Sequence, residues 1–108
     1  IAVMYLGSVM EVGTADDVYH NPVHPYTQAL LTAVPLPNPR LVRKRRFVLK
    51  GDVPSPMMKP SGCGFRTRCP IARPECADSV PQLIDLENGR QVACHFIDEA
   101  RMMKETIF

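Results

Sequence analysis

Four cysteines carry the most chemical information in this sequence, because thiols can bind metals, form disulfides or act as nucleophiles. Cys63, Cys69 and Cys76 lie within the fourteen residues "CGFRTRCPIARPEC", and Cys94 follows them. The spacing C-x5-C-x6-C-x17-C lacks the short pairs of cysteines that are typical of structural zinc sites. An iron–sulfur cluster takes four thiolates around a larger group, sometimes with a cysteine before proline, as in Cys69-Pro70. The spacing therefore favours a cluster over a zinc finger.

Disulfide bonds are the competing interpretation of the same cysteines. The even number of cysteines and the small size of the chain favour disulfides. The sequence has no recognisable signal peptide, so we expect no export, and disulfides are rare in proteins that stay in the cytosol. On the chemistry of the residues alone, a metal or cluster site and a set of disulfides or free thiols are both open.

The three histidines are interpreted as structural. His95 follows Cys94 in a segment, "QVACHFI", that predicts a strand, and neighbouring side chains of a strand point to opposite faces. His20 and His24 lie near predicted helix ends, and no acidic or nucleophilic residue lies at a spacing from them that would indicate a catalytic site. We expect both to pack at those ends.

A local positive charge is the second chemical feature. Residues 40–50, "RLVRKRRFVLK", hold six basic groups and no acidic group, whereas the rest of the chain holds seven basic and eleven acidic groups. Such a run can bind nucleic acid phosphates or anionic lipid head groups. Phe47 is the only aromatic residue nearby, so the stacking platform of single-strand binders is missing. A solvated linker is the favoured interpretation; the candidate basic patch is Arg43, Lys44, Arg45 and Arg46.

The secondary structure predicted around these residues indicates that the 108-residue chain is a small α+β fragment. "IAVMYLGSVMEVG" predicts an N-terminal β-hairpin with a type II′ turn at Gly7-Ser8. Thr14 and Asp17 have the form of a capping box at the start of a short helix. Pro25 suits the first position of a second helix.

That second helix is predicted to present one apolar stripe, formed by Tyr26, Ala29, Leu30 and Ala33. After it, the segment "RFVLKG" predicts a strand, the cysteine segment predicts a loop rich in glycine and proline, and "QVACHFI" predicts a strand that carries Cys94.

Several function classes are excluded by missing patterns. No apolar run approaches the ~20 residues of a membrane span. The sequence contains no GxxxxGK[ST], GxSxG or HExxH motif. We therefore expect this chain to catalyse nothing on its own.

Several segments resemble one known family. "IAVMYLGSVMEVGTADDVYHNPVHPYTQALLTAVP" resembles the end of the nucleotide-binding subunit of oligopeptide/dipeptide ABC importers, in which "HPYTQALL" recurs. "GDVPSP" and "GCGFRTRCPIARPEC … VACHF" resemble the C-terminal extension of the peptide-importer branch. The resemblance runs from Ile1 to about Phe96.

The resemblance implies an organisation for the parent protein. Residues 1–35 would end the nucleotide-binding domain, and residues 36–108 would form the extension. ATP would bind upstream, at motifs that this sequence does not contain. Some family members carry an iron–sulfur cluster (4Fe-4S) on four cysteines in this arrangement, which maps onto Cys63, Cys69, Cys76 and Cys94.

The function that the resemblance implies is assembly or regulation within an ATP-binding subunit that powers peptide import. Its partners would be a second ATP-binding subunit, in a homo- or heterodimer, and membrane permease subunits at the cytoplasmic face of the membrane. Nucleic acid is not an expected partner. The rival hypotheses are a small metal-binding module that contacts nucleic acid and a disulfide-stapled structural domain.

Overall fold

The computed structural model describes residues 1–32, 57–58 and 60–107, and the elements named below are those of the described residues. A four-stranded antiparallel sheet with the strand order β1-β2-β4-β3 is flanked by four α-helices. The α+β prediction is confirmed. The strands are β1 (Ala2–Tyr5), β2 (Ser8–Val12), β3 (Ile84–Asp85) and β4 (Gln91–Val92), and the helices are α1 (Ala15–His20), α2 (Pro25–Thr32), α3 (Glu75–Asp78) and α4 (Ile97–Ile107).

The N-terminal hairpin is present, but its turn differs from the predicted one. Tyr5 pairs with Ser8, so the two loop residues are Leu6 and Gly7 rather than Gly7 and Ser8. Both have positive φ, 50° for Leu6 and 80° for Gly7. Positive φ at both positions is the type I′ geometry, so the predicted type II′ turn is wrong. Glycine is common in type I′ and type II′ turns alike, so Gly7 alone does not fix the position of the turn. The prediction placed the turn one residue late.

A β-bulge in the hairpin allows two consecutive residues of β2 to be buried. Val3 pairs with Glu11 and Met4 pairs with Val9, which leaves Met10 as the extra residue. Met10 and Glu11 are 4 % and 0 % exposed, whereas regular strands alternate between two faces. The bulge thus turns a carboxylate into the protein interior.

The helix signals near the N-terminus are confirmed in part. Thr14 Oγ1 accepts a hydrogen bond from the backbone N–H of Asp17 at 3.1 Å, as the capping pattern predicts, and Pro25 is the first residue of α2. The predicted apolar stripe of α2 is only partly right, because Leu30 is 40 % exposed and the polar Thr27 and Gln28 are buried. Ala33 lies outside the described residues.

Buried Gln28 has a structural reason. Its Nε2 donates to the carbonyl oxygens of Val23 and Ala100, each at 2.8 Å, and so joins α2 to α4. Helix α4 was not predicted from the sequence. One of its residues, Ala100, is completely buried.

Segments on either side of the predicted domain boundary share one sheet. Strand β2 pairs with β4 through Glu11 opposite Val92 and Val12 opposite Gln91. The N–H of Ala93 continues this contact to the carbonyl of Met10 at 2.8 Å. The boundary between residues 35 and 36 and the strand predicted in "RFVLKG" lie outside the described residues, and both stay predictions.

The predicted strand "QVACHFI" is much shorter than expected. Strand β4 ends at Val92, so Cys94 and His95 lie in the connection between β4 and α4. The prediction that His95 and Cys94 point to opposite faces of a strand therefore does not apply to these residues. The ring of His95 instead contacts the carbonyl oxygen of Ser79, with 2.7 Å between Nε2 and that oxygen.

Candidate cysteine site

The structure brings the four cysteines together from separate segments. Cys63 and Cys69 lie in the turn-rich segment before α3, Cys76 lies in α3, and Cys94 follows β4. All four line one small cavity, together with His24 and Phe65. The volume of this cavity is about 10 Å³, which is room for about one water molecule. All four thiols are free.

A backbone contact holds the first and third cysteines side by side. The N–H of Cys63 donates to the carbonyl oxygen of Cys76 at 2.7 Å. Gly62 precedes this contact with φ of 64°, and a Cβ on Gly62 would collide with the carbonyl oxygen of Cys76. The close approach of these two segments therefore requires glycine at position 62.

This requirement gives a direct prediction for Gly62→Ala. We expect the free energy of unfolding to fall by at least about 1–3 kcal/mol, because alanine adds both a collision and an unfavourable φ. Thermal or urea unfolding measures the change. Gly89→Ala is a matched control, because Gly89 also has positive φ, 72°, but a Cβ added there would meet no atom within 4 Å. A cost for Gly62→Ala no larger than that for Gly89→Ala would contradict the role of the close contact.

Backbone N–H groups interact with three of the four cysteine sulfurs. Hydrogen bonds from the backbone reach Cys63 from Phe65 and Arg66, Cys69 from Ile71, and Cys94 from Phe96. The Phe96 nitrogen lies 3.4 Å from the Sγ atom of Cys94. Such donors stabilise a thiolate relative to a thiol.

Burial nevertheless raises the pKa of three of the thiols, those of Cys63, Cys69 and Cys94. Desolvation raises the pKa of Cys69 to about 12 and that of Cys94 to about 11. It also raises the pKa of Cys63, where the backbone donors only partly offset it. The neighbouring cysteines act in the same direction, because adjacent thiolates repel each other. Metal binding at this site must therefore displace protons.

The raised pKa values predict slow alkylation of the native, metal-free protein. At about pH 8 we expect iodoacetamide to modify Cys69 on the order of a hundredfold more slowly than in the urea-unfolded chain, because the thiolate is the nucleophile. The native rate should rise as the pH approaches about 12. Mass spectrometry of timed samples measures both rates. Equal rates in native and unfolded protein would contradict burial of the thiol.

His24 is the buried titratable imidazole of this site. It precedes the first residue of α2 and is 1 % exposed. Its Nδ1 accepts a hydrogen bond from the N–H of Tyr26 at 3.0 Å, so the ring caps the helix. Desolvation lowers the pKa of His24 to about 4, although the Ala93 carbonyl favours the protonated ring. The predicted role at a helix end agrees with this contact, but no sequence signal indicated that His24 adjoins the cysteines.

The other histidine near a helix end behaves differently. His20 is the last residue of α1, and its exposed ring stacks edge-on against Tyr19, with 5.2 Å between the ring centroids. It takes no part in the cysteine site.

A buried ion pair positions the loop that carries His24. Glu11 Oε1 accepts from the N–H of His24 at 2.8 Å, and both carboxylate oxygens lie 3.2 Å from the nitrogen of Val23. The Nη2 atom of Arg90 donates to Glu11 at 2.8 Å and to the Asn21 carbonyl at 2.6 Å. Sequence reasoning missed this pair, because its members are 79 residues apart.

The residues of this site that could hold a metal group are the four cysteines, and thiolate is the ligand type that iron–sulfur clusters take. In the ranges 1–32, 57–58 and 60–107, no group of three or more His, Cys, Asp or Glu residues is arranged to bind one metal ion. A cluster spreads its four ligands over a larger group, and each of the four cysteines here faces the same cavity from its own position in the chain. The candidate basic patch Arg43–Arg46 lies outside the described residues.

Comparison with known proteins identifies the family of this chain. The family model for the C-terminal region of oligopeptide/dipeptide transporters matches residues 10–76, which include three of the four cysteines. The chain belongs to this family. The resemblance noted from the sequence is thereby confirmed.

Relatives within the transporter family share more than half of the aligned residues. The chain is similar to the oligopeptide transport ATP-binding protein OppF of Salmonella typhimurium, at 60 % identity over 84 residues, which are 77 % of this chain and 25 % of that protein. OppF of Escherichia coli is 58 % identical over the same number of residues, with the same coverage of each chain. The chain spans 25 to 31 % of the length of the curated relatives it matches.

Proposed function

We propose that this chain is the C-terminal part of an ATP-binding subunit that powers the import of oligopeptides or dipeptides. The observation that carries the proposal is the family match over residues 10–76. Relatives at 58 to 60 % identity are named oligopeptide transport ATP-binding proteins. The ATP-binding motifs would belong to the remainder of the subunit.

Peptide-dependent growth tests this proposal. A strain that lacks the gene for the full-length protein, and that requires one amino acid, is supplied with that amino acid only inside an oligopeptide. We expect growth to be lost and to be restored by the wild-type gene. Growth on the free amino acid is the control. The strain must also lack other peptide importers. Normal growth of this strain on peptides of every length would oppose the proposal.

The role proposed for the extension is assembly or regulation. Buried hydrogen bonds join the extension to the N-terminal part, from Arg90 to Glu11 and from Gln28 to the carbonyl of Ala100. The proposed partners are a second ATP-binding subunit and the permease subunits at the cytoplasmic face of the membrane. Within the residues that the structure describes, no helix is long and apolar enough to cross a membrane.

Co-purification tests these partners and separates them from the nucleic-acid alternative. We expect the tagged full-length protein to retain the permease subunits in mild detergent. A protein that instead binds arbitrary DNA duplexes, with an affinity that falls steeply with salt, would support the rival module. The role proposed for Arg43–Arg46 is contact with lipid head groups or a partner subunit. Alanine at all four positions should then weaken co-purification with membranes or with the permease subunits, whereas an inert linker would leave it unchanged.

The cofactor proposed for the cysteine site is a 4Fe-4S cluster held by Cys63, Cys69, Cys76 and Cys94. Convergence of the four thiols on one cavity and the N–H donors around them support it. The cavity of about 10 Å³ would have to widen as the sulfurs move apart. Such a cluster would supply a covalent link among the segments that carry the cysteines and a one-electron redox centre.

Anaerobic purification of the full-length protein tests the cluster. We expect a brown protein with iron and acid-labile sulfide in equal amounts. Cys69→Ser should lower the iron content strongly, while Thr67→Ser, at an exposed position of the same loop, should leave it unchanged. A colourless protein without iron would remove the cluster and leave the importer proposal intact. Four cysteines that stay unreactive in the metal-free, urea-unfolded protein would instead support disulfides.

A further inference from the structure

His24 presents a buried donor to the cysteine cavity. In a neutral imidazole one nitrogen carries the proton and the other accepts. Because Nδ1 accepts from the N–H of Tyr26, the proton resides on Nε2. This N–H is fully buried and has no hydrogen-bond partner among the described residues.

The orphaned N–H group is costly to leave unpaired. A buried donor without an acceptor is unfavourable because it has lost its hydrogen bonds to water. The Ala93 carbonyl interacts with the ring, but it does not form a hydrogen bond of acceptable geometry with Nε2. The other polar atoms that line the cavity beside His24 include the sulfurs of the four cysteines.

Thiolate and sulfide sulfurs are better acceptors than the neutral thiols of the metal-free protein. Loading the site with a metal group would deprotonate the thiols and so turn the sulfurs of the cavity that His24 also lines into acceptors. The ring is held in place for this contact from two sides. Glu11 accepts from the backbone N–H of His24, and the His24 ring packs against Phe65, with 5.8 Å between the centroids.

We propose that the Nε2–H group of His24 donates a hydrogen bond to a sulfur atom of the loaded cysteine site. His24 is thus a positioning residue, because Nε2 carries the proton and has no lone pair for a metal. The inference rests on the cysteine site proposed above. It assigns the first residue of the "HPY" segment a role in tuning the sulfur ligands, which commonly set the reduction potential of a cluster.

Two substitutions separate this role from capping of the helix. His24→Asn places an amide oxygen near the position of Nδ1 and keeps the acceptor for Tyr26, but it removes the donor at the position of Nε2. His24→Gln places an amide N–H near the position of Nε2 and loses the acceptor. His20→Asn is the matched control at the exposed histidine.

The experiment measures the reduction potential of the full-length protein reconstituted with ferrous iron and sulfide. A donor to sulfur stabilises the more negative, reduced state. We therefore expect His24→Asn to shift the reduction equilibrium about tenfold toward the oxidised state, which is about 59 mV for one electron. His24→Gln and His20→Asn should remain close to the wild-type potential.

Each outcome decides the proposal. A shift for His24→Gln without a shift for His24→Asn would show that the ring only caps α2 and would overturn it. Equal potentials in all four proteins would also overturn it, and would leave the cysteine site standing. If the wild-type protein takes up neither iron nor sulfide, the cysteine site fails and the role of His24 fails with it. Should His24→Asn not fold, His24→Leu, which also removes the donor, takes its place: a potential lower than that of His24→Gln supports the proposal, and a potential equal to it overturns it.

Discussion

Replacing Glu11 by alanine is expected to lower the free energy of unfolding by about 3–5 kcal/mol. The substitution leaves the guanidinium of Arg90, only 4 % exposed, without its carboxylate. It also removes the acceptor for the N–H groups of Val23 and His24. Urea unfolding followed by circular dichroism measures the loss.

Arg90→Met should cost less than Glu11→Ala. Without Arg90, the Glu11 carboxylate retains two backbone N–H donors, so its charge is still partly compensated. The exposed pair between Arg101 and Glu87, at 3.1 Å, is the control. Arg101→Met should leave stability almost unchanged, because exposed ion pairs are screened by water and salt. A larger cost for Arg90→Met than for Glu11→Ala would contradict this ordering.

Replacing Phe65 by alanine is expected to destabilise the protein by about 3–5 kcal/mol. Phe65 is completely buried and forms the centre of the aromatic group beside the cysteines. Its ring lies 5.3 Å, between centroids, from both Tyr5 and Tyr26. Removing it creates a cavity that this small core cannot easily refill.

The same substitution should change the cysteine cavity, since Phe65 forms part of its wall. In Phe65→Ala we expect faster alkylation of the buried thiols in addition to the lower unfolding midpoint. Tyr19→Ala is the control, because Tyr19 is 42 % exposed and lies on α1. An equal destabilisation by both substitutions would show that Phe65 does not anchor the core.

Features set by neighbouring residues were predictable from the sequence. The cap formed by Thr14 depends on a residue three positions away, and Pro25 opens α2 through the constraint of its own ring. The hairpin was found because two apolar runs flank a glycine. Its turn was misplaced by one residue, because the sequence does not reveal that Leu6 adopts positive φ.

Features set by distant contacts were not predictable. Gln28 is buried only because Ala100 offers an acceptor 72 residues away. Glu11 looks like an exposed polar residue of a strand until the bulge at Val3 and Met4 turns it inward. The four cysteines are an exception, because their type and spacing predicted one site; they line one cavity, and the site itself stays a prediction. Their occupant depends on chemistry that the sequence does not record.

The antiparallel pairing of β2 with β4 has a consequence for shortened forms of the protein. A stop codon after residue 89 would remove the strand opposite Glu11 and Val12, the guanidinium beside Glu11 and the acceptor of Gln28. The remaining N-terminal part would expose a strand edge with unpaired N–H and C=O groups. Natural nonsense or frameshift alleles that interrupt the chain before β4 should therefore behave as misfolding alleles of the whole subunit, prone to aggregation and degradation, rather than as mild losses of a tail.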